Sequence, residues 1–483
     1  MNTIHVGRSL LLIMAMGMQL FAGAILSHPD KIAYDSLKWQ VPDGGHCRTM
    51  LKNGLRLYSA EDKALPLVKV VGYIRYGSVC DAVGKEGLGQ LTALCMRTGG
   101  IRTMSADSLD ALLDRMAIKL SISCTPTEFT FKCSFLSDYT DTALALLSHI
   151  LFEPTFNADK IKSSKELMTE SVRNRFNTPG PIVDAAFDKQ LYPKQLNSRL
   201  ATEKSIKNLT RTDCMALHKQ FVTTGNMVVA VSGAFDRVAM EQRFTILFKA
   251  AVDTTLQWPF PAITATPLHK AIFIQRSGPQ TNVRFGLPLF KRPNNDYYAV
   301  SVLNLILGGG GFTSRLGTKI RSDEGLTYSI HSEAESNYIF PGALFIQFHT
   351  KNETVTLATT LSLIEIDKLK TGGITADELA RAKRMLIDGL PSMFRSSDDI
   401  VETYAWNEYY GRPATIFKEY PAAVKALTVS DITAAAKKYL NPEQFIFTVV
   451  GDSSAVSTDS AKAFWNTYKP YHVLSADSLS ALP

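Results

Sequence analysis

The sequence predicts an α+β fold of two similar tandem domains, each an antiparallel sheet with helices packed on one face. Three observations lead there. The first is a long internal repeat. Asn157-Ala158-Asp159-Lys160-Ile161 is answered by Thr375-Ala376-Asp377-Glu378-Leu379, an offset of 377 − 159 = 218. Leu209-Thr210-Arg211-Thr212-Asp213 is answered by Leu427-Thr428-Val429-Ser430-Asp431, with 431 − 213 = 218. Val228 to Gly233 is answered by Ile446 to Gly451, with 451 − 233 = 218. One offset that holds without a gap from Asp159 to Gly233 marks a duplicated unit. The second observation is a hairpin pattern that pairs Leu120–Cys124 with Phe129–Phe135 through a turn at Thr125-Pro126-Thr127. The third is that strands and helices do not alternate one for one. That disfavours a doubly wound parallel sheet and favours antiparallel strands with helices on one side.

The chain begins with a segment outside this scheme. Arg8 precedes an apolar run from Leu10 to Leu26, and Ala22-Gly23-Ala24 supplies a small-x-small pattern. This is the layout of a secretory signal peptide, expected to occupy 1–24 and to be cleaved near Ala24. Retention as an anchor is the other reading, because Leu10–Leu26 just reaches spanning length. The expected location is outside the cytoplasm, and the periplasm if the source is a bacterium. No membrane contact is expected after cleavage.

The first domain is expected over 46–250. Its strand Val68–Arg75 comes early. A helix opens after Asp159, whose charge suits the positive helix start. A further helix begins at Leu209-Thr210, where the Thr hydroxyl can satisfy free backbone amides, and a β-branched strand then stops at Gly233. The second domain, expected over 262–475, opens with strands at Lys270–Arg276 and Thr281–Gly286 and closes as the first does, at Asp377, Leu427-Thr428 and Gly451. Trp258-Pro259-Phe260-Pro261 reads as the linker, since Pro breaks both helix and ladder.

Composition excludes several function classes. With 45% hydrophobic and 20% charged residues, the 483-residue chain is neither disordered, nor collagen-like, nor a polytopic membrane protein. The net charge, 52 − 45 = +7, is spread along the length without a basic run, so no nucleic-acid partner is expected. The six cysteines, Cys47, Cys80, Cys95, Cys124, Cys133 and Cys214, are too few for a disulfide scaffold, although one or two bridges are compatible with export. They form no Cys-x-x-Cys pair. No two of the nine His residues lie within one helical turn, so no helix carries a zinc-binding His pair. No nucleophile elbow or phosphate-binding loop is present either.

Leu51 to Leu55, Gly87 to Leu94, Phe152 to Asn157, and Gly308 to Gly311 with Arg321 and Tyr328 together resemble stretches of the pitrilysin/insulinase family of inverted-motif zinc peptidases, in its processing-peptidase-like branch. Leu51-Lys52-Asn53-Gly54-Leu55 is similar to the family's opening Leu-x-Asn-Gly-Leu. Gly87-Leu88-Gly89-Gln90-Leu91-Thr92-Ala93-Leu94 is similar to its Gly-Leu-Ala-His-x-x-Glu-His segment. Phe152-Glu153-Pro154-Thr155-Phe156-Asn157 resembles the turn before the family's next long helix. Leu307-Gly308-Gly309-Gly310-Gly311, with Ser314-Arg315-Leu316 and then Arg321 and Tyr328, looks like the family's glycine-rich loop and its Arg/Tyr substrate-binding pair. The resemblance implies duplicated α+β domains forming half of a clamshell.

The departures from the family matter as much as the matches. Carried across, the first His is Gln90, the general-base Glu is Ala93 and the second His is Leu94. The third ligand position falls on Glu170, with 170 − 94 = 76. A catalytic zinc needs three protein ligands and a bound water, and Leu94 has no lone pair while Ala93 cannot take a proton. The chain alone is therefore not expected to be a working zinc peptidase, and no metal is expected in it. Glu170 reads as an ordinary solvated helix carboxylate.

Arg321 and Tyr328 keep their chemistry, since both can donate a hydrogen bond toward developing oxyanion charge. Gly308–Gly311 can be read as a loop that approaches a ligand closely or as the C-cap of a helix over Ala299–Leu307. The resemblance implies a zinc-less subunit that lends Arg321 and Tyr328 to a partner chain carrying the zinc, the two closing on an unfolded peptide. The rival expectation is a non-enzymatic peptide-binding or structural scaffold on the same fold.

Overall fold

The computed structural model describes residues 39–193, 199–248, 260–265, 271–468 and 471–475. The segment 1–24 expected to be a leader and the start of the expected linker, Trp258 and Pro259, lie outside them. Residues from Val41 onward form one compact unit, and all that follows concerns its described residues. No helix among the described residues is long and apolar enough to cross a membrane.

The first half runs β1 (Arg48–Met50), β2 (Arg56–Glu61), β3 (Leu67–Ile74), α1 (Leu88–Thr98), α2 (Ala106–Arg115), β4 (Lys119–Cys124), β5 (Phe129–Leu136), α3 (Thr140–Phe152), α4 (Ala158–Asn174), α5 (Pro179–Leu191), α6 (Glu203–Asn208), α7 (Arg211–Phe221), β6 (Met227–Gly233) and α8 (Arg237–Leu247). The second runs β7 (Ala271–Gln275), β8 (Gln280–Pro288), α9 (Tyr297–Asn304), β9 (Ile330–Ala334), β10 (Ala343–Lys351), α10 (Val355–Lys370), α11 (Ala376–Gly389), α12 (Ser397–Tyr409), α13 (Ile416–Ala426), α14 (Val429–Tyr439), β11 (Ile446–Gly451), α15 (Asp459–Asn466) and β12 (Tyr471–Ser475).

Each half carries one six-stranded sheet, in the order β1-β2-β6-β3-β5-β4 and β12-β7-β11-β8-β10-β9. The β4–β5 hairpin forms as read from the sequence, with Cys124 opposite Phe129. Antiparallel pairing dominates, but β6 runs parallel to β2 and β11 parallel to β7, so both sheets are mixed. The edges differ. β1 is antiparallel to β2, whereas β12 is parallel to β7.

The 218-residue offset reappears in three dimensions. Helices α4 and α11 start at 158 and 376, α5 and α12 at 179 and 397, α7 and α14 at 211 and 429. The starts of α7 and α14 are built alike. The Thr210 hydroxyl accepts from the Asp213 amide and the Asp213 side chain accepts from the Thr210 amide. Thr428 and Asp431 repeat this. Two amides that the helix cannot pair are satisfied in each copy, which stabilises a helix start by about 1 kcal/mol.

The helices on one face of each sheet come from its own half, and the two cores close separately there. The opposite face takes a helix from the other half. Helix α5 lays Ile182, Val183 and Ala186 against Ile272, Ile274 and Val450, and Phe187 and Leu191 against Phe345 and Ile446. Its counterpart α12 packs across β6, β2 and β3. This is why β6 and β11 are buried along almost their whole length and read as continuous apolar runs rather than alternating ones.

Candidate functional site

Helix α1 carries the positions that match the family's metal motif. A buried carboxylate holds its start. Asp81 accepts from the Tyr76 hydroxyl at 2.6 Å, from the Gly87 amide at 2.9 Å and from the Gly89 amide at 3.1 Å. Burial pushes the Asp81 pKa up to about 6, although the Tyr76 and backbone hydrogen bonds oppose the shift. Along α1, Gln90 is exposed, Ala93 is buried at 1% exposure and Leu94 is 36% exposed. Helix α4 packs against α1 and carries Glu170, whose side chain is exposed.

These side chains do not fit a zinc ion. Of the four aligned positions, one offers a carboxylate, one an amide and two only hydrocarbon. Zinc takes imidazole, thiolate or carboxylate ligands in tetrahedral sets. Among the described residues no three His, Cys, Asp or Glu side chains converge on a point where a metal could sit. All six cysteines are free thiols, so none is bridged.

The second cluster lies in the α9–β9 connection. After α9 the chain makes a π-helical turn over Leu305–Gly309, a short 3₁₀ turn over Gly311–Thr313, and a second π-helical turn over Gly317–Asp323 before β9. The glycines have definite structural reasons. A Cβ on Gly308 would lie 2.4 Å from the Ser332 amide nitrogen, so strand β9 passes too close for any side chain. Gly311 has φ of 63°, in the left-handed region that glycine adopts freely. Gly309 and Gly311 are exposed, and Gly310 is half-buried. Helix α9 continues without a break as the π-helical turn Leu305–Gly309 and is capped at Gly310, with the left-handed Gly311 just beyond, so the run does close a helix, as one sequence reading had it, although its last turn is π-helical. Strand β9 crosses close beside it.

Arg321 and Tyr328 both sit on this connection. Tyr328 is 83% exposed, three residues after Gly325, which is also left-handed with φ of 62°. The neighbouring Thr327 is buried, and its hydroxyl donates to the His349 carbonyl at 2.6 Å, so the backbone beside Tyr328 is fastened while its ring is free. The Arg321 guanidinium lies over the Phe312 ring, 3.9 Å from the centroid. Among the described residues neither Arg321 nor Tyr328 forms a side-chain hydrogen bond, so both donors remain available to a ligand.

Arg315, which the sequence places in the same motif, does something else. It grips Glu378 with two bonds of 2.7 and 2.9 Å. Glu378 is also the partner of Thr375 at the start of α11. Burial alone would raise the Glu378 pKa, but the bonds from Arg315 and Thr375 bring it below the usual carboxylate value. Arg315 therefore ties the connection to α11 and is committed there. Sequence reasoning passed over Phe312, for which the signal was an aromatic residue directly after four glycines. It also passed over Asp81, whose role depends on a folded contact with Tyr76.

The two halves thus bring together two separate constellations. One is a metal motif without metal-binding groups, on α1 and α4. The other is a pair of unengaged donors beside tight glycine turns, between α9 and β9.

Comparison with known proteins identifies the family of the fold. Residues 57–203 match the pattern described as "Insulinase (Peptidase family M16)", and residues 208–386 match "Peptidase M16 inactive domain". The "Non-peptidase homolog YmxG" of Helicobacter pylori is 22% identical over 399 residues, covering 81% of this chain and 90% of that protein. The "Uncharacterized zinc protease YmxG" of Bacillus subtilis is 24% identical over 377 residues, covering 75% and 87%. Among solved structures, the peptidase M16 inactive domain from Pseudomonas fluorescens superposes with a TM-score of 0.74 at 24% identity, covering 84% of this chain and 98% of that one. The periplasmic protease PqqL from Escherichia coli gives 0.70 at 16% identity, covering 84% and 45%. With the fold, the duplicated halves and these matches in agreement, the chain belongs to peptidase family M16, the insulinase family, with Gln90, Ala93 and Leu94 at positions of the family's zinc motif.

Proposed function

We propose that this chain is the catalytically incomplete subunit of a two-chain zinc peptidase. It would be exported by its leader, with 46–250 and 262–475 as the two domains of one half-clamshell. A partner of the same family would carry the zinc and the general base. Arg321 and Tyr328, flanked by Gly308–Gly311, would bind an unfolded peptide and present donors to its backbone carbonyls. The observation that carries this reading is the contrast between the two constellations. Three of the four metal-motif positions have lost their chemistry, whereas Arg321, half-buried, and Tyr328, exposed, keep theirs, and neither forms a side-chain hydrogen bond among the described residues. A pure scaffold has no need to hold an arginine and a tyrosine in that state on fastened turns.

The second reading is a peptide-binding or structural scaffold without any role in catalysis. What favours it is the match to a family pattern described as an inactive domain and to a relative named a non-peptidase homolog. Co-purification of the tagged mature chain from its source, with zinc analysis and a peptidase assay of the recovered complex, separates the two. Recovery with a zinc-bearing chain and activity only in the mixture supports the two-chain reading. Recovery of no such chain, or a partner equally active alone, leaves the scaffold.

A further inference from the structure

We propose that Phe312 is a positioning residue for Arg321, holding its guanidinium ready for a peptide carbonyl; this deepens the two-chain reading above and rests on it. The Phe312 ring lies beneath the guanidinium at 3.9 Å, well inside the range of a cation–π contact. A half-buried arginine with no side-chain hydrogen bond among the described residues would otherwise keep several rotamers, and fixing it at the moment of binding costs up to about 2 kcal/mol.

Phe312 is not held by the core. It is 65% exposed, so its ring contributes little buried area. The backbone is what holds it. The Ser314 amide donates to the Gly311 carbonyl at 3.2 Å, and the Thr313 hydroxyl donates to the Gly310 carbonyl at 3.2 Å. The Thr318 hydroxyl donates to the carbonyl of Phe312 itself, also at 3.2 Å. The left-handed Gly311 sets the direction in which the turn projects the ring. The 3₁₀ turn that bears Phe312 also packs against the π-helical turn that bears Arg321. The turn that bears the cation is anchored in the core through Ile320, the platform keeps its place beside it by backbone bonds without burial of its own ring, and an aromatic residue at 312 is explained by what it supports.

The test uses the full mature chain with Phe312→Ala, Phe312→Trp, Arg321→Lys and Tyr328→Phe. Because no buried volume is removed at 312, melting temperatures should match the wild type. Two readouts are then compared. In ¹H–¹⁵N spectra of arginine side chains, the Arg321 Nε–H signal, assigned by its loss in Arg321→Lys, should be shifted upfield by the ring. That shift should vanish in Phe312→Ala and persist in Phe312→Trp. In fluorescence anisotropy with a fluorescein-labelled, unstructured 20-residue peptide, Phe312→Ala should weaken binding about 2- to 5-fold, the size of an exposed cation–π contact, and Phe312→Trp should restore it. An Arg321 signal unmoved by Phe312→Ala overturns the proposal. So does weakened binding in Arg321→Lys and Tyr328→Phe with full binding in Phe312→Ala, and in that case the two-chain reading stands. Absence of peptide binding by the wild type, or binding indifferent to all four changes, overturns the peptide role of the whole cluster and this inference with it.

Discussion

Glu408, on the last turn of α12, takes both arms of the Arg48 guanidinium from β1, each at 2.8 Å, and accepts a third hydrogen bond from the Tyr58 hydroxyl of β2 at 2.7 Å. The residues are 360 positions apart. The contact sits where a helix of the second half lies on the sheet of the first. Nearby, the Tyr409 hydroxyl donates to the Thr127 carbonyl at 2.7 Å, and the Tyr73 and Tyr409 rings meet at 5.6 Å. The halves are joined by an exchange of equivalent helices, α5 for α12.

That exchange makes the stability of each half depend on the other. Phe187 on α5 is fully buried against the second sheet, and Phe187→Ala should cost about 3–5 kcal/mol. Glu408→Ala strands a paired arginine and should cost about 1–3 kcal/mol. Urea denaturation followed by both circular dichroism and tryptophan fluorescence should show one shared transition, shifted downward in each variant. Two separated transitions, with only one moved, would contradict the interlock.

Asp81 gives a pH dependence of known sign. Its pKa stands at about 6 in the folded chain against an ordinary value of 3.8, because burial disfavours the charged form. A carboxyl with a raised folded pKa contributes its stability fully below the unfolded value and loses it as pH rises through the folded value. This group should therefore remove about 3 kcal/mol between about pH 4 and pH 6, opposite in sign to a salt-bridged carboxylate. Carboxyl ¹³C titration should place Asp81 near 6, and Asp81→Asn should flatten this part of the stability profile. A midpoint near 4 would refute the assignment.

The metal motif should be recoverable in part. As it stands, the purified chain should hold far less than one zinc per molecule. Gln90 and Leu94 lie one helical turn apart on α1 and both reach the surface. Replacing both with His, with Glu170 retained, should create a three-ligand site that takes up about one zinc, and Glu170→Gln in that background should abolish it. The double variant should stay inactive, because Ala93 supplies no base. Elemental analysis after dialysis decides the matter, and stoichiometric zinc in the unaltered chain would overturn the reading of α1.

Arg321→Lys keeps the charge and loses the planar fork, while Tyr328→Phe removes one hydroxyl. In a reconstituted two-chain peptidase each should lower kcat on the order of 10- to 1,000-fold, by comparison with the loss of one oxyanion donor. Binding of the unfolded peptide should suffer much less, since such a donor strengthens its bond in the transition state. The size of the complex should not change. Full turnover with both changes in place would leave only the scaffold reading.

Much of this protein could be read along the chain because the relevant physics is local. The capping pairs Thr210 with Asp213 and Thr428 with Asp431 act over three residues. The turn between β4 and β5 needs only Thr125 to Glu128. The absence of zinc donors at Ala93 and Leu94 is a matter of residue type. Even the duplication is a one-dimensional fact, visible as a constant offset of 218.

Only the tertiary structure decided which sheet each helix covers. The apolar residues of α5 and α12 call for burial, and nothing in them names the partner, because hydrophobic burial is proportional to area and blind to identity. The continuous apolar runs of β6 and β11 require cover on both faces, but that the second cover comes from the opposite half is a property of the whole chain. The same holds for Asp81, whose burial beside Tyr76 moves its proton affinity, and for Phe312, which becomes a platform only when the turn at Gly311 meets the turn that carries Arg321. Those properties arise from distances between residues that the order of the chain does not contain.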